Sequence, residues 1–348
     1  MNTKVSKGVR RLLWILGGLA VIVIIAAIAL QVAISRNGPA VLSAVDYVTG
    51  SSQTPELSGK EQATISTGAH PQQKLVVWGP ERRDPADAPL PVLLFAHGGS
   101  WRSGDPVDYG FIGRTFVAEG FVVVLSGYRL GEDGKYPAML EDTASAIAWT
   151  HKEIASYGGD PDRIVIAGHS AGAYNVVTTA LEEQWLGRRG LSSDAIAGVI
   201  GLSGPYDFVP FDSESTIASF GHVDDPAATQ PITHARLDGP PMLLIHGDKD
   251  TLVYPRNTRV LTNTIDRMRA DAAENIDWDE TEFNDDQRGS VVAHFYAEME
   301  HNDPLISIAA PWRSRRDIAD VMAEFARTVP SSGAAEAETS VPVQGETR

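Results

Sequence analysis

No cysteine occurs anywhere in the 348-residue chain. That absence removes a disulfide framework, a thiolate zinc site and a cysteine nucleophile together. It assigns no compartment, since exported proteins do not require disulfides. Basic residues are scarce: 29 Lys and Arg stand against 45 Asp and Glu, a net charge of −16. Residues 1–35 hold four cations and no acids, so without them the net charge falls to −20. Such a surface repels phosphates and anionic headgroups, which argues against nucleic acid as a partner. Signatures of cofactor chemistry are missing too. There is no H-E-x-x-H, no G-x-G-x-x-G after a strand, and Ser58-Gly59-Lys60 is followed by Glu61 rather than by the hydroxyl a P-loop needs. No cofactor or metal is expected, and the chain has no internal repeats.

One uncharged run is long enough to cross a bilayer. Leu12 to Ile34 is 23 residues without a charge, preceded by Lys4, Lys7, Arg10 and Arg11. As a helix it would span about 34 Å, against a hydrocarbon core of about 30 Å. The expectation is a single-pass signal anchor over 1–35, with the cations holding the N-terminus in the cytoplasm and the rest exported. The alternative is a secretory signal peptide cleaved near Ala27-Ile28-Ala29, although signal h-regions of about 7–15 residues are shorter. Residues 36–70, rich in Ser, Thr, Gly and Gln, read as a linker or stalk. A folded domain is expected over 71–330, and the small, polar stretch 331–348 as a disordered tail.

Within 71–330, apolar strand-like runs alternate with helix-compatible segments. The strands are Lys74–Trp78, Pro91–Ala96, Phe121–Leu125, Arg163–Ala167, Pro241–Ile245 and Ser290–Ala297; Gly110–Glu119 and Pro137–Tyr157 read as helices. This order predicts an α/β domain with a mostly parallel sheet flanked by helices and functional loops at the strands' C-terminal ends. Two insertions interrupt it. Phe208–Asp238 is long enough for a small cap, with no helix signalled in it. Ala270–Arg288 carries eight acids and reads as a solvated loop without EF-hand spacing.

The chemistry converges on a serine. Gly168-His169-Ser170-Ala171-Gly172 follows a strand and precedes a helix, the context that turns a serine hydroxyl into a nucleophile. Upstream, a strand ends in His97-Gly98-Gly99-Ser100-Trp101, whose Gly pair can aim N–H groups at an oxyanion. With the N–H of Ala171, Gly98 and Gly99 are the expected oxyanion donors. Downstream, a strand ends in His246-Gly247-Asp248-Lys249-Asp250, offering two carboxylates as the orienting acid. Of the two later histidines, His294 falls in a strand pattern and His301 in the loop beyond it, so His301 is the expected base. The similar Gly201-Leu202-Ser203-Gly204-Pro205 lacks the closing glycine. His97 is expected to brace the Gly-Gly loop and His169 to pack in the elbow. Trp101 either lines a substrate pocket or packs beneath the loop.

With these motifs in this order, the chain resembles the α/β-hydrolase superfamily, most closely the H-G-G-x-W esterases related to hormone-sensitive-lipase-like carboxylesterases and kynurenine formamidases. The likeness runs from about Gln72 to Arg327 and includes Gly127-Tyr128-Arg129-Leu130 and Gly201–Asp207. It implies the α/β-hydrolase fold and serine-dependent hydrolysis of a small-molecule carboxylic ester through an acyl-enzyme. It also implies that the acid is the last residue of H-G-x-x-D, Asp250, leaving Asp248 to shape the turn. The same motif leaves an arylformamidase as a rival, and a non-catalytic binding protein as a second. A cap as short as 208–238 predicts a modest pocket, suited to acyl chains of about two to six carbons on neutral or cationic alcohols. Oligomeric state is not indicated.

Overall fold

A computed structural model describes isolated positions between 14 and 33, then residues 36–50, 59–81, 84, 86–275, 289–313 and 317–331. Eight strands form one sheet: β1 (Gly59–Ser66), β2 (Lys74–Pro80), β3 (Leu90–Ala96), β4 (Val122–Ser126), β5 (Gly159–His169), β6 (Gly198–Leu202), β7 (Met242–Gly247) and β8 (Val291–Tyr296), in the spatial order β1-β2-β4-β3-β5-β6-β7-β8. From β4 to β8 every neighbouring pair is parallel, while β1–β2 and β2–β4 are antiparallel. The helices are α1 (36–49), α2 (Gly110–Ala118), α3 (Ala138–Glu153), α4 (Ala171–Leu181), α5 (Gln184–Gly187), α6 (Glu214–Phe220), α7 (Arg256–Asn275), α8 (Asp303–Ile306), α9 (Ala310–Arg313) and α10 (Ile318–Thr328).

The central strands are apolar on both faces because both are covered. Val92, Leu94, Val124, Ile164, Ile166 and Leu244 face one core with α3 and α4; Leu93, Phe95, Val123, Val165, Ile200 and Ile245 face a second with α2 and α10. Alternate residues therefore serve different layers, which fixes register: a one-residue slip would exchange every core contact. This α/β-hydrolase-like architecture is the one the sequence pattern predicts, and it carries every βα loop to one edge, the carboxyl edge of the parallel strands.

Several segments depart from expectation. The sheet starts at β1, not at Lys74: Gly59–Ser66, in the stretch read as stalk, pairs with β2 except at a bulge between Glu61 and Ala63. β1 is a largely exposed edge strand whose side chains are mostly polar, so it carries no apolar signal. The cap contains a true helix, α6, whose Ser213 and Thr216 form a capping box that satisfies its first amides. α7 was not signalled; it buries Leu261 and Ile265 while presenting a polar face, and it runs into the segment read as an acidic loop. The rest of that segment, 276–288, lies outside the described residues, as do most of the expected anchor and the tail from 332. Among the described residues no helix is long and apolar enough to cross a membrane.

The other part of the expected stalk, α1, is docked on the domain. Asn37 Nδ2 donates to Asp108 Oδ2 at 2.7 Å, and Arg114 on α2 reaches the Ser43 carbonyl at 2.7 Å. Asp46, 3% exposed, accepts from Arg114 Nε at 2.7 Å and from the Ala310 N–H at 2.8 Å. Asp108 lies just beyond the Gly-Gly loop, at the carboxyl edge, whereas Arg114 is further along α2. From Asn37 at the carboxyl edge, α1 therefore descends beside α2. Asp46 is its anchor, because a buried carboxylate deprived of both donors is costly. Asp46→Ala is expected to destabilise the domain by about 2 kcal/mol and to raise amide exchange across 36–49 well above that of the sheet. Unchanged protection there would mean that α1 is held by packing alone.

Candidate active site

Ser170 stands at the turn between β5 and α4 with φ 54° and ψ −119°, a conformation that a side chain adopts only under constraint. The constraint comes from glycines. A Cβ on Gly172 would lie 2.1 Å from the Ala96 carbonyl oxygen, and one on Gly168 would lie 2.3 Å from the Gly172 oxygen. Only bare backbone lets α4 cross so close to β3 and lift Ser170 above the sheet. The Ser170 N–H donates to Leu202 O on β6 at 2.8 Å, pinning the turn from the other side.

The expected partners converge on it. Ser170 Oγ donates to His301 Nε2 at 2.9 Å, and His301 Nδ1 donates to Asp250 Oδ2 at 2.7 Å. All three are buried, Ser170 and His301 retaining under a tenth of their surface. The second histidine, His294, lies within β8 opposite Ile245, in the strand rather than in the site. Asp248 turns away and accepts from Arg259 at 2.6 Å on the surface. The choice between the two carboxylates thus falls geometrically to Asp250.

Asp250 has more donors than His301. Its Oδ1 accepts the N–H groups of Leu252 and Val253, each at 2.9 Å, and His246 Nε2 lies 3.2 Å from Oδ2. Burial pushes this carboxyl up, but the hydrogen bonds from His246, His301 and Val253 outweigh it and hold it well below the usual carboxylate range. His246 is itself fully buried, shares its Nε2–H with Val253 O at 2.8 Å, and meets Thr258 through Nδ1 at 2.8 Å. Sequence reasoning used it only as the first letter of H-G-x-x-D. The signal available was a histidine four residues before a carboxylate, at a strand end.

His169 does more than pack. Its Nε2–H donates to the His301 carbonyl at 3.0 Å, tying the elbow to the loop that carries the base. Burial, with the neighbouring His301 ring, pushes its pKa down to about 3, so it stays neutral. His97 braces the oxyanion loop as expected: its Nδ1–H donates to Gly98 O at 2.7 Å and its ring stacks on Tyr128, centroids 4.6 Å apart. Tyr128 in turn donates to the His97 carbonyl at 2.8 Å, while Arg129 forks onto buried Asp142 at 2.8 and 2.9 Å.

Gly98 runs so close to the elbow that a Cβ there would come within 3.3 Å of Ser170 Cβ. Gly99 has φ +122°, and a Cβ on it would strike the Ser103 carbonyl. The N–H groups of Gly99 and Ala171 find no acceptor among the described residues. Gly98, the third expected donor, borders the same elbow. Trp101 is 3% exposed: Nε1 donates to Asn175 at 3.1 Å, and the ring meets Tyr174, Phe208 and Phe220 under the cap.

The BD-FAE family model matches residues 82–265, over half of the chain. The chain belongs to this family. The matched region carries the Gly-Gly loop, the elbow and Asp250, and ends before His301. Among curated proteins, the chain is 29% identical over 221 residues to esterase LipC of Mycobacterium tuberculosis, covering 58% of this chain and 54% of that one. It is 35% identical over 119 residues to carboxylesterase NlhH of the same species, covering 34% and 36%. The chain spans about half or less of the length of these relatives. Among solved structures, a truncated carbohydrate esterase from gut microbiota superposes with a TM-score of 0.62 at 18% identity, over 79% of this chain and 99% of that one. Apo esterase 2 of Thermogutta terrifontis gives 0.59 at 21%, over 76% and 92%. At these identities the two structures speak for the fold of this BD-FAE family member.

The buried histidines set an acid response. Unfolded, His169 takes up a proton near pH ~6.5; folded, only at about 3, so stability falls as pH drops through that window by about 1.4 kcal/mol per unit. Asp250 acts lower: its folded value is depressed, so its contribution is present above the unfolded value of ~3.9 and lost below it. His169→Asn should therefore flatten the decline of urea-unfolding stability between pH 6.5 and 4.5 by about that slope. A decline parallel to that of the wild type would overturn the assignment of a neutral, buried His169.

Proposed function

We propose that the protein is a serine-dependent carboxylic ester hydrolase. The observation that carries this is the unbroken hydrogen-bond chain Ser170–His301–Asp250 on a strained elbow, at 2.9 and 2.7 Å. Ser170 Oγ attacks the ester carbonyl carbon as its proton passes to His301 Nε2. The oxygen that becomes negative is stabilised by the N–H groups of Ala171, at the N-terminus of α4, and of Gly98 and Gly99 in the Gly-Gly loop. The imidazolium, held by Asp250, protonates the departing alcohol. Water then attacks the acyl-enzyme as His301 takes its proton, and Ser170 is released.

The esterase names of the relatives and the BD-FAE match support ester hydrolysis in general. A preference for acyl chains of about two to six carbons is supported by the cap, where Trp101, Tyr174, Phe208, Phe211 and Phe220 pack against one another and fill the space an acyl tunnel would need. The net negative charge favours neutral or cationic alcohols. The uncharged run 12–34 supports a membrane-anchored protein with its catalytic domain outside the cytoplasm. The formamidase alternative rests on the shared H-G-G-x-W.

Ser170→Ala and His301→Ala should each lower kcat by ~10⁴ or more, with His294→Ala retaining most activity. Asp250→Asn should cost far more than Asp248→Asn, whose carboxylate only meets Arg259. Steady-state kinetics on p-nitrophenyl butyrate measures all five, and activity surviving His301→Ala would remove the assigned base.

Across p-nitrophenyl acetate, butyrate, octanoate and palmitate, kcat/KM should peak at acetate or butyrate. A maximum at octanoate or palmitate would contradict the filled cap, and turnover of N-formylkynurenine without any ester would favour the formamidase.

A further inference from the structure

We propose that the carboxyl edge of the sheet, with the mouth of the site, lies against the bilayer in which residues 12–34 are embedded, and that the substrate is a short acyl group on an alcohol held in that membrane. This rests on the ester-hydrolase proposal for the substrate and on the proposed membrane anchor for the orientation.

The orientation follows from Asn37. It is bonded to Asp108 at the carboxyl edge, and α1 then descends beside α2, held by Ser43 and Asp46. Two residues, Ser35 and Arg36, separate Ile34 from Asn37, a reach of at most ~11 Å. The uncharged run therefore ends beside the edge that carries Ser170. An embedded 12–34 leaves no slack to turn that edge away from the lipid surface.

The exposed apolar side chains agree with this placement. From α1 onward the large ones among the described residues are Tyr47, Val48, Val107, Val209, Ile217, Leu252, Tyr254 and Val292. Five of these eight, all but Tyr47, Val48 and Val292, sit at the carboxyl edge. Val107 follows the Gly-Gly loop, Val209 and Ile217 belong to the cap, and Leu252 and Tyr254 follow Asp250. Leu252 is 66% exposed and Tyr254 60%, on the loop beside the site. Solvent-facing apolar groups gathered on one edge, with an aromatic among them, are what an interfacial surface presents to headgroups and upper acyl chains. Charge selects the kind of lipid. Of the edge's arginines, Arg102 is paired with Glu214 and Arg256 with Asp207, which leaves Arg36, beside Asn37, as a single cation rather than a patch for anionic headgroups. The contact is apolar, and a zwitterionic surface suits it.

The absence of cysteine makes the orientation directly measurable. Ile217→Cys and Tyr254→Cys place a single environment-sensitive fluorophore at the edge. Lys152→Cys places one at the last turn of α3, at the opposite end of the strands, where the side chain is 79% exposed. The full-length chain is reconstituted in phosphatidylcholine vesicles carrying a nitroxide-labelled lipid. Emission from positions 217 and 254 should be quenched at least about threefold more than from 152. Equal quenching at all three, quenching at 152 alone, or failure of the protein to float with the vesicles overturns the proposal. None of these readouts depends on turnover. Hydrolysis of p-nitrophenyl acetate by the same proteins tests the ester-hydrolase proposal separately. The double variant Ile217→Asp/Tyr254→Asp should hydrolyse hexadecyl acetate in vesicles about fivefold or more slowly, with soluble p-nitrophenyl acetate within about twofold of wild type. Equal losses on both substrates would overturn the membrane-presented substrate.

Discussion

Asp250 is cut off from water, and the geometry of the site follows from how its charge is met. A buried carboxylate is tolerable only when its lone pairs are occupied. Here the occupants come from three places: the N–H groups of the loop after β7, His246 at the end of β7, and His301 beyond β8. The same contacts that make the charge tolerable therefore fix the orientation of the imidazole. His301 has one carboxylate oxygen to aim Nδ1 at, and that choice directs Nε2 toward Ser170. His169 closes the arrangement from the other side by holding the backbone of His301 against the elbow.

A second constraint is steric. The elbow and the Gly-Gly loop approach each other so closely that Gly98, Gly168 and Gly172 leave no room for a side chain. Close approach of this kind needs a rigid floor, which the stack of His97 on Tyr128 and the Arg129–Asp142 fork supply. The Gly127–Leu130 stretch, noticed in the sequence only as part of a resemblance, thus acts as the underside of the oxyanion loop. Trp101 extends the floor toward the cap by reaching Asn175 on α4.

The central strands were legible because burial on both faces makes them continuously apolar, and the elbow because its glycines have fixed spacing. What escaped notice had weak local signals. β1 is an exposed edge strand, α7 is polar outside two buried side chains, and α1 is held by polar contacts to residues 71 and 264 positions away. The choice of His301 over His294 was available from strand periodicity. The choice of Asp250 over Asp248 was not, because two carboxylates on one turn differ only in which way the backbone points them. His246 and His169 act through partners that no local pattern brings near.

The bond from Asp46 to Ala310 spans 264 positions, and that from Ser170 to His301 spans 131. Contacts this distant close large loops, so they form late, after the local and central-strand pairings. During synthesis Ser170 and its elbow emerge long before His301, and α1 waits for a partner near the end of the domain. A nascent or truncated chain ending before residue 301 thus holds Ser170 without its hydrogen-bond partner. Chain order itself leaves the Ser170–His301–Asp250 chain unformed until the domain is nearly complete.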